Sequence, residues 1–348
     1  LDTPHRGPPR LRHRAARVLS AAPCLTALAL SACGSRTASP EASSGAAGSD
    51  GAGSGTWPRT VTDAQGDVTI EKQPGKVVST SPSVTGTLLA IDAPVVSSAA
   101  ASPSPLTDDK GFFTQWASAA DERGVDVLYS NLEFDLEAVI AADPDLVVVS
   151  SSGKDALKDE QLASLKEQFA VIVVDYNTQS WQDLAAQLGA ALGLEDRASA
   201  IATEFDGYLS EAKGKIAPPS GGTTLVSYNG SDKEQGIGKK DSAHAVLLTA
   251  LGFEIVEADS SLDTGSHQQS GFMFVSYENL SRAVTGESVF LIKAGEDDIS
   301  KFTGDETLAN LPAVTSDQVY YLGASSFRID YYSGKLAVDA VVDQLGKG

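Results

Sequence analysis

An unbroken amphipathic pattern over residues 195–215 is the feature that most constrains the fold of this 348-residue chain. At 1.5 Å per residue, a helix of this length spans about 30 Å, the width of a domain. Its apolar stripe recurs every three or four positions, at Ala198, Ile201, Ala202, Phe205, Leu209 and Ala212. Pro218–Gly222 then interrupts regular structure. Because apolar runs alternate with helical patterns on both sides, the pattern predicts a helix that joins two α/β halves.

The alternation itself predicts parallel sheets. A run such as Leu146–Val149 has no polar side, which is typical of a strand covered by helices on both faces. Strands are predicted over 76–80, 94–97, 146–150, 171–175, 223–228, 254–257, 289–293 and 319–322. Further helices are predicted over 84–91, 132–142, 157–168, 181–192, 242–251, 276–284, 306–310 and 334–345. We therefore predict two Rossmann-like α/β lobes joined by a single long helix, with a ligand cleft between them. One large doubly wound domain is the alternative.

The first 56 residues have the composition of an export signal and a spacer. Five arginines precede an apolar stretch, Val18–Leu30, that is too short to cross a bilayer. Leu30-Ser31-Ala32-Cys33 matches the lipid-attachment box of bacterial lipoproteins, which predicts a signal peptide over 1–33 and lipid on Cys33. An ordinary cleaved signal is the alternative. Residues 34–56 form a Gly/Ser/Ala tract typical of a flexible linker, so we expect an extracytoplasmic protein held to the cell membrane by lipid only.

The domain organisation follows from these features. An N-terminal lobe is predicted over 57–194, the interlobe helix over 195–217 and a C-terminal lobe over 218–348. Both cysteines, Cys24 and Cys33, lie in the leader. The body of the protein therefore has no disulfide and no thiolate metal site.

The charge excludes two classes of partner. The chain has 46 acidic and 26 basic residues, a formal charge of −20. Such a field repels nucleic acid and anionic lipid. An anionic small ligand remains compatible with it, since screening over roughly 8 Å makes a nearby arginine matter more than distant carboxylates.

Catalytic and metal-binding patterns are missing from the sequence. It contains no phosphate-binding loop and no GxSxG nucleophile elbow. His244 and His267 lie in different predicted segments, and neither has a second ligand at helical spacing, so no metal and no cofactor is expected. Ser242 and His244 face different directions on one helix, which argues against a nucleophile pair. The sequence therefore predicts a binding protein rather than an enzyme.

Several stretches resemble the substrate-binding components of iron-siderophore, haem and cobalamin ABC importers, the enterobactin-binding members above all. They are Trp57–Asp63, Val77–Ser81, Thr85–Pro94, Asp109–Phe112, Leu311–Val314 and, most closely, Phe327–Ser333. With gaps, the resemblance covers Trp57 to Lys335. It implies that a monomer captures a ferric siderophore, with an enterobactin-like catecholate favoured, and delivers it to a permease dimer. It also implies little hinge motion, because a helix is a stiff link.

The resemblance further implies which residues bind the ligand. Arg328 is the foremost, since a guanidinium offers forked donors and a flat face to catecholate rings. The other expected contacts are Ser81, Tyr228, Lys239 and Tyr331. Paired tyrosines such as Tyr331-Tyr332 also bind bare ferric ion in some proteins, but pocket or core positions are favoured here.

Two positions depart from the enterobactin pattern. Pro105 stands where that pattern has an arginine, and Gly238 where it has a tryptophan. Lys239 or Lys240 is the candidate to compensate for the ligand contacts that these two positions lose. A haem or cobalamin binder of the same fold is the alternative function, and haem would require an axial ligand such as Tyr228, Tyr331 or His267.

Two glutamates match the permease-docking motifs of this family. Glu137 lies within Asp135–Ile140, and Glu278 lies within Val275–Leu280. Each is expected on the top surface of its lobe, where it would meet an arginine of one permease subunit. In so acidic a chain, ordinary solvated helix charges are the alternative.

Overall fold

A computed structural model of the chain describes residues 56–266 and 270–347. Cys33 and His267 lie outside the described residues, as do the predicted signal peptide and nearly all of the linker. No helix in the described part of the chain combines the length and apolar character that crossing a bilayer requires.

The N-terminal lobe is built on a five-stranded parallel sheet that follows a β-hairpin. The hairpin pairs β1 (Arg59–Asp63) with β2 (Gly66–Ile70). The strands of the sheet are β3 (Val77–Ser79), β4 (Val95–Ser98), β5 (Asp126–Val127), β6 (Leu146–Ser150) and β7 (Val171–Val174), in the spatial order β5-β4-β3-β6-β7. The helices of the lobe are α1 (Pro82–Ala90), α2 (Thr114–Glu122), α3 (Leu136–Ala142), α4 (Asp159–Lys166) and α5 (Trp181–Leu192).

The long helix α6 (Glu195–Lys215) leads to a mixed sheet in the C-terminal lobe. Its strands are β8 (Gly222–Ser227), β9 (Gln235–Gly238), β10 (Glu254–Ile255), β11 (Phe272–Val275), β12 (Ser288–Leu291) and β13 (Val319–Tyr321). The spatial order is β11-β9-β8-β12-β13, with β10 beside the start of β8. The helices are α7 (Ala243–Leu251), α8 (Leu280–Ala283), α9 (Glu296–Thr303), α10 (Pro312–Thr315) and α11 (Tyr331–Leu345).

Alternate residues of the buried strands face different apolar cores, as the pleat requires. In β6, Leu146 and Val148 belong to one cluster, whereas Val147 and Val149 belong to another on the opposite face of the sheet. The first cluster continues through the apolar stripe of α6 into the C-terminal lobe, where it includes Phe290. The two lobes therefore share one core, and α6 is packed along its length.

The last helix, α11, returns to the N-terminal lobe. It packs against α6 and also against α1 and α2. Gly334 of α11 is so close to α6 that a Cβ there would lie 2.8 Å from the ring of Phe205. The predicted C-terminal lobe thus ends in a helix that contacts both lobes.

Several sequence predictions differ from the structure. The C-terminal sheet is mixed rather than parallel, because β9 is antiparallel to both β8 and β11. The helix predicted over 276–284 is a 3₁₀ turn followed by the short helix α8. The helix predicted over 132–142 begins only at Leu136, because the Asp135 carboxylate caps it by accepting from the backbone N–H groups of Glu137 and Ala138. The helix predicted over 306–310 is wrong, since that stretch is a series of turns. There the Asp305 carboxylate accepts from the backbone N–H of Thr307 at 2.9 Å.

Candidate ligand-binding site

A cavity of about 420 Å³ lies between the two lobes. Tyr176 and Asn177, which follow β7, border it from the N-terminal lobe. The first turn of α7 and the Phe327–Asp330 segment border it from the C-terminal lobe, and α6 contributes Phe205. Ligands of open α/β sheets bind beyond the carboxyl ends of the strands. The cavity also falls within the usual range of about 300–1,000 Å³ for small-molecule sites.

Arg328 lies in the cavity wall and reaches across to the N-terminal lobe. Its guanidinium carbon is 3.5 Å from the ring centroid of Tyr176, and its Nη2 donates to Asn177 Oδ1 at 3.2 Å. Burial lowers the pKa of Arg328, while Tyr176 and Asp155 act in the opposite direction. A guanidinium stays protonated in proteins, so Arg328 presents a positive charge to the cavity.

A buried carboxylate, Asp155, holds Tyr176 in place beneath the guanidinium. It accepts from the Tyr176 hydroxyl at 2.6 Å and from the hydroxyl of Ser81. Burial raises the pKa of Tyr176, and the Asp155 charge adds to the effect, so the phenol stays protonated and remains a donor. Ser81, predicted to touch the ligand, is fully buried behind this wall and is already bonded to Asp155.

Gly153 makes the Asp155–Tyr176 contact possible. Its φ of +81° lies in the left-handed region, and a Cβ there would overlap the Tyr176 hydroxyl. Any other residue at this position would therefore be strained and would displace the tyrosine. Tyr176, Asn177 and Asp155 were not predicted as site residues, although the carboxyl ends of β6 and β7 indicate where to search.

The structure places Tyr331 and Tyr228 away from the cavity. The Tyr331 hydroxyl donates to Glu204 of α6 at 2.6 Å, and the ring packs against Trp181 at a centroid distance of 5.8 Å. The Tyr228 hydroxyl donates to Asp305 at 2.7 Å. Neither tyrosine lines the cavity.

Lys239 follows β9 and is half-exposed, two residues before Asp241 in the cavity wall. Gly238 before it is buried, and a Cβ there would lie 2.8 Å from Leu225 Cβ. A tryptophan, the residue of the enterobactin pattern, has no room at this position. Pro105 is exposed in the loop between β4 and α2.

Glu137 and Glu278 are both exposed at the carboxyl-end edge of their sheets. Glu137 lies in the first turn of α3, and Glu278 lies in a 3₁₀ turn (Tyr277–Asn279) after β11. Because β11 is antiparallel to β9 and β9 is antiparallel to β8, β11 ends on the same edge as β8. Within the described ranges neither carboxylate forms an ion pair.

Metal-ligating side chains do not converge in the described part of the chain: it holds no group of three or more His, Cys, Asp and Glu placed to bind a metal ion. His244 lies in the cavity wall, where its Nε2 is 2.6 Å from the carbonyl oxygen of Ser326. Ser242 caps α7 by accepting from the backbone N–H of Ala245 at 3.1 Å. The Ser242 hydroxyl therefore serves as the N-cap of α7.

Comparison with known proteins gives matches that span both lobes. Residues 77–325 match the periplasmic binding protein family. The chain is 38% identical over 289 residues to the ferric enterobactin-binding periplasmic protein FepB of Escherichia coli O6:H1 (strain CFT073), covering 81% of this chain and 89% of FepB.

Solved structures share the same arrangement. The crystal structure of holo-ViuP is 38% identical with a TM-score of 0.77, over 84% of this chain and 97% of ViuP. Staphylococcus aureus SirA complexed with staphyloferrin B, at 16% identity, shares the fold with a TM-score of 0.63, over 82% of this chain and 98% of SirA. Two lobes on one shared core, a cavity at the strand ends and these matches together make the chain a member of the periplasmic binding protein family.

Proposed function

We propose that this protein is the substrate-binding component of an ABC importer and captures a ferric siderophore, with a catecholate of the enterobactin type favoured. The observation that carries this proposal is an arginine in the cavity wall of a chain that is 38% identical to FepB. The protein binds and releases its ligand without catalysing a reaction.

The surroundings of Arg328 suit an anionic chelate. The two groups that contact its guanidinium are uncharged, an aromatic ring and an amide. The buried carboxylates Asp155 and Asp330 are near enough to favour its charged form, and they offset part of that charge. The face opposite Tyr176 can stack on a catecholate ring while the N–H groups bond to the iron-bound oxygens.

Four aspartates also border the cavity, and an anionic ligand has to avoid them. Asp330 accepts from the backbone N–H of Ser333 as the cap of α11, and Asp183 accepts from the Ser180 hydroxyl. Asp206 and Asp241 are exposed, so solvent and salt screen them. We infer that the ligand lies nearer to Arg328 than to the outer carboxylates.

Tryptophan fluorescence tests the proposal directly. Of the three tryptophans, Trp181 borders the cavity. Ferric enterobactin should quench the emission saturably, and Trp181→Phe should remove most of that quenching while Trp57→Phe, the matched control, should leave it. A saturable Soret shift with haem, and no quenching by ferric siderophores, would instead favour the haem alternative.

The location and partners belong to the same proposal. FepB is named as a periplasmic protein, and we propose that this chain is likewise extracytoplasmic, with lipid on Cys33 as its membrane anchor. A monomer would then meet a permease dimer through Glu137 and Glu278.

Replacing the proposed lipid-bearing cysteine should detach the protein. Cys33→Ala removes the proposed site of lipid attachment, so the variant should appear in the soluble extracytoplasmic fraction. Cys24→Ala is the matched control and should stay with the membranes. Sedimentation of Cys33→Ala with membranes after a high-salt wash would contradict the lipid anchor.

A further inference from the structure

One wall of the cavity carries an exposed apolar side chain that the contacts of Arg328 do not explain. Val246 of α7 is 59% exposed, more than any other large apolar side chain in the described part of the protein. The others that are exposed are Val127, Ile140 and Leu336. None of these three lines the cavity, whereas Val246 does. Single apolar residues are ordinary on an outer surface, but in a concave site they are typical of ligand contact.

Val246 belongs to an apolar face that follows α7 along the cavity. Residues three or four positions apart lie on the same side of a helix. The apolar residues that α7 contributes to the cavity have this spacing, and they are called the α7 face below: Ala243, Val246, Leu247 and Ala250. Helices α5 and α6 add Leu184 and Leu209 to the same lining. This part of the cavity is therefore suited to an apolar group.

The α7 face leads away from Arg328. The start of α7 adjoins the turn that carries Arg328, because His244 Nε2 is 2.6 Å from the carbonyl oxygen of Ser326. At 1.5 Å per residue, Ala250 lies about 9 Å further along the helix axis than His244. The cavity therefore joins a charged end at Arg328 to an apolar end along α7.

Charge restricts which part of a ligand can occupy the apolar end. Asp183 of α5 and Asp206 of α6 border the cavity and are exposed. Carboxylates repel an anionic group, although solvent and salt weaken the repulsion. The negatively charged, iron-binding part of a chelate is therefore favoured at Arg328, and only an uncharged part is favoured along α7.

We propose that the α7 face is a second subsite, which binds an uncharged apolar substituent of the ferric chelate, such as a short alkyl chain or an aryl group. Arg328 binds the anionic part of the same molecule. The inference rests on the proposed function and narrows it to chelates with an apolar group that projects from the iron centre. Contact between that group and Val246 removes apolar surface of both from water, which is the source of the additional affinity.

Two ferric chelates of equal charge test the subsite. One is ferric enterobactin, and the other is the ferric complex of an enterobactin analogue with an n-butyl group at carbon 5 of one catechol ring, where the chain points away from the iron. The measured quantity is the ratio of their dissociation constants, from tryptophan quenching. The parent should bind the butyl chelate about tenfold more tightly, which corresponds to burial of about two methylene groups.

Substitutions at Val246 should change this ratio. Val246→Asp places a carboxylate on the α7 face and should bring the ratio to near one, whereas Val246→Ser adds no charge and should lower the preference to a few-fold. The charge of the two chelates is equal, so a general effect of the new carboxylate on anion binding cancels in the ratio. Leu336→Asp is the matched control, because Leu336 is 47% exposed on α11 and does not line the cavity. It should keep the ratio of the parent.

Equal affinity of the parent for the two chelates, or a preference that Val246→Asp leaves unchanged, would overturn the subsite. The proposed function would then stand, since ferric enterobactin itself would still bind. A ratio lowered as much by Leu336→Asp would also overturn the subsite. If the parent bound neither chelate nor any other ferric siderophore, the proposed function would fail and the subsite with it. If Val246→Asp did not fold, Val246→Ser would decide the matter.

Discussion

Arg328→Ala is expected to weaken the binding of an anionic ferric siderophore by roughly 1.5–3 kcal/mol, which corresponds to about a 10- to 150-fold higher Kd. The guanidinium lies in the cavity wall against the Tyr176 ring and Asn177, so its removal takes away both a charge and a stacking face. The loss of affinity should be smaller for a neutral ferric hydroxamate, because Arg328 then contributes packing but no attraction between opposite charges. Fluorescence titration with both ligands measures the difference.

Two further variants sharpen this prediction. Arg328→Lys keeps the charge but loses the fork and the flat face, so it should fall between the parent and the alanine variant. Arg282→Ala removes an exposed arginine of α8 that does not line the cavity, and it should leave both affinities unchanged. If Arg328→Ala bound both ligands as tightly as the parent, the arginine would not contact the ligand, and Lys239 and Lys240 would be tested next.

The double substitution Glu137→Ala with Glu278→Ala should abolish siderophore uptake while leaving ligand affinity unchanged. Both carboxylates are exposed and lie outside the cavity. Truncating one partner of a charge pair that is buried and hydrogen-bonded within an interface costs about 2–5 kcal/mol, so the loss of two such pairs would reduce docking on the permease by more than a hundredfold. Uptake of radiolabelled iron by cells, beside fluorescence titration of the purified variant, separates the two effects.

A matched pair of glutamates provides the control. Glu122 at the end of α2 and Glu254 at the start of β10 are exposed on the opposite edge of the two sheets. The double variant Glu122→Ala with Glu254→Ala loses the same charge and should transport normally. Equal loss of uptake in the two double variants would mean that net charge, rather than docking by Glu137 and Glu278, causes the loss. Weaker ligand binding by the Glu137→Ala, Glu278→Ala variant would mean that these glutamates contribute to the ligand site or to the stability of the fold.

The long, strongly periodic elements of the fold could be predicted from the sequence. The bounds of β6, α5 and α6 coincide with the predicted 146–150, 181–192 and 195–215. Their valine, leucine, isoleucine, phenylalanine and tryptophan side chains are all buried in a core, so pattern and burial agree. By contrast, β9 contains two glycines and a glutamine, and nothing local marks it as a strand. It is stabilised by its neighbours β8 and β11 and by the buried Gln235 side chain, which donates to carbonyl groups of the preceding turn.

The binding site was less accessible to sequence reasoning. The Arg328–Asn177 contact joins residues 151 positions apart, which no local pattern reveals. Tyr331 was predicted to contact the ligand, but its hydroxyl donates a hydrogen bond to Glu204 across the interface between α6 and α11. The contact between His244 Nε2 and the carbonyl oxygen of Ser326 joins residues 82 positions apart, so only the folded chain reveals it.

The return of α11 to the first lobe has a consequence for the order of assembly. Ala337, Val338 and Val341 are fully buried in the core that also contains residues of α1 and α2. Because α11 follows every other helix and strand of the described chain, the first lobe cannot reach its final packing until α11 has been synthesised. Domains usually fold one after another as the chain emerges, but here the first lobe has to wait for a helix that comes after the second lobe's sheet.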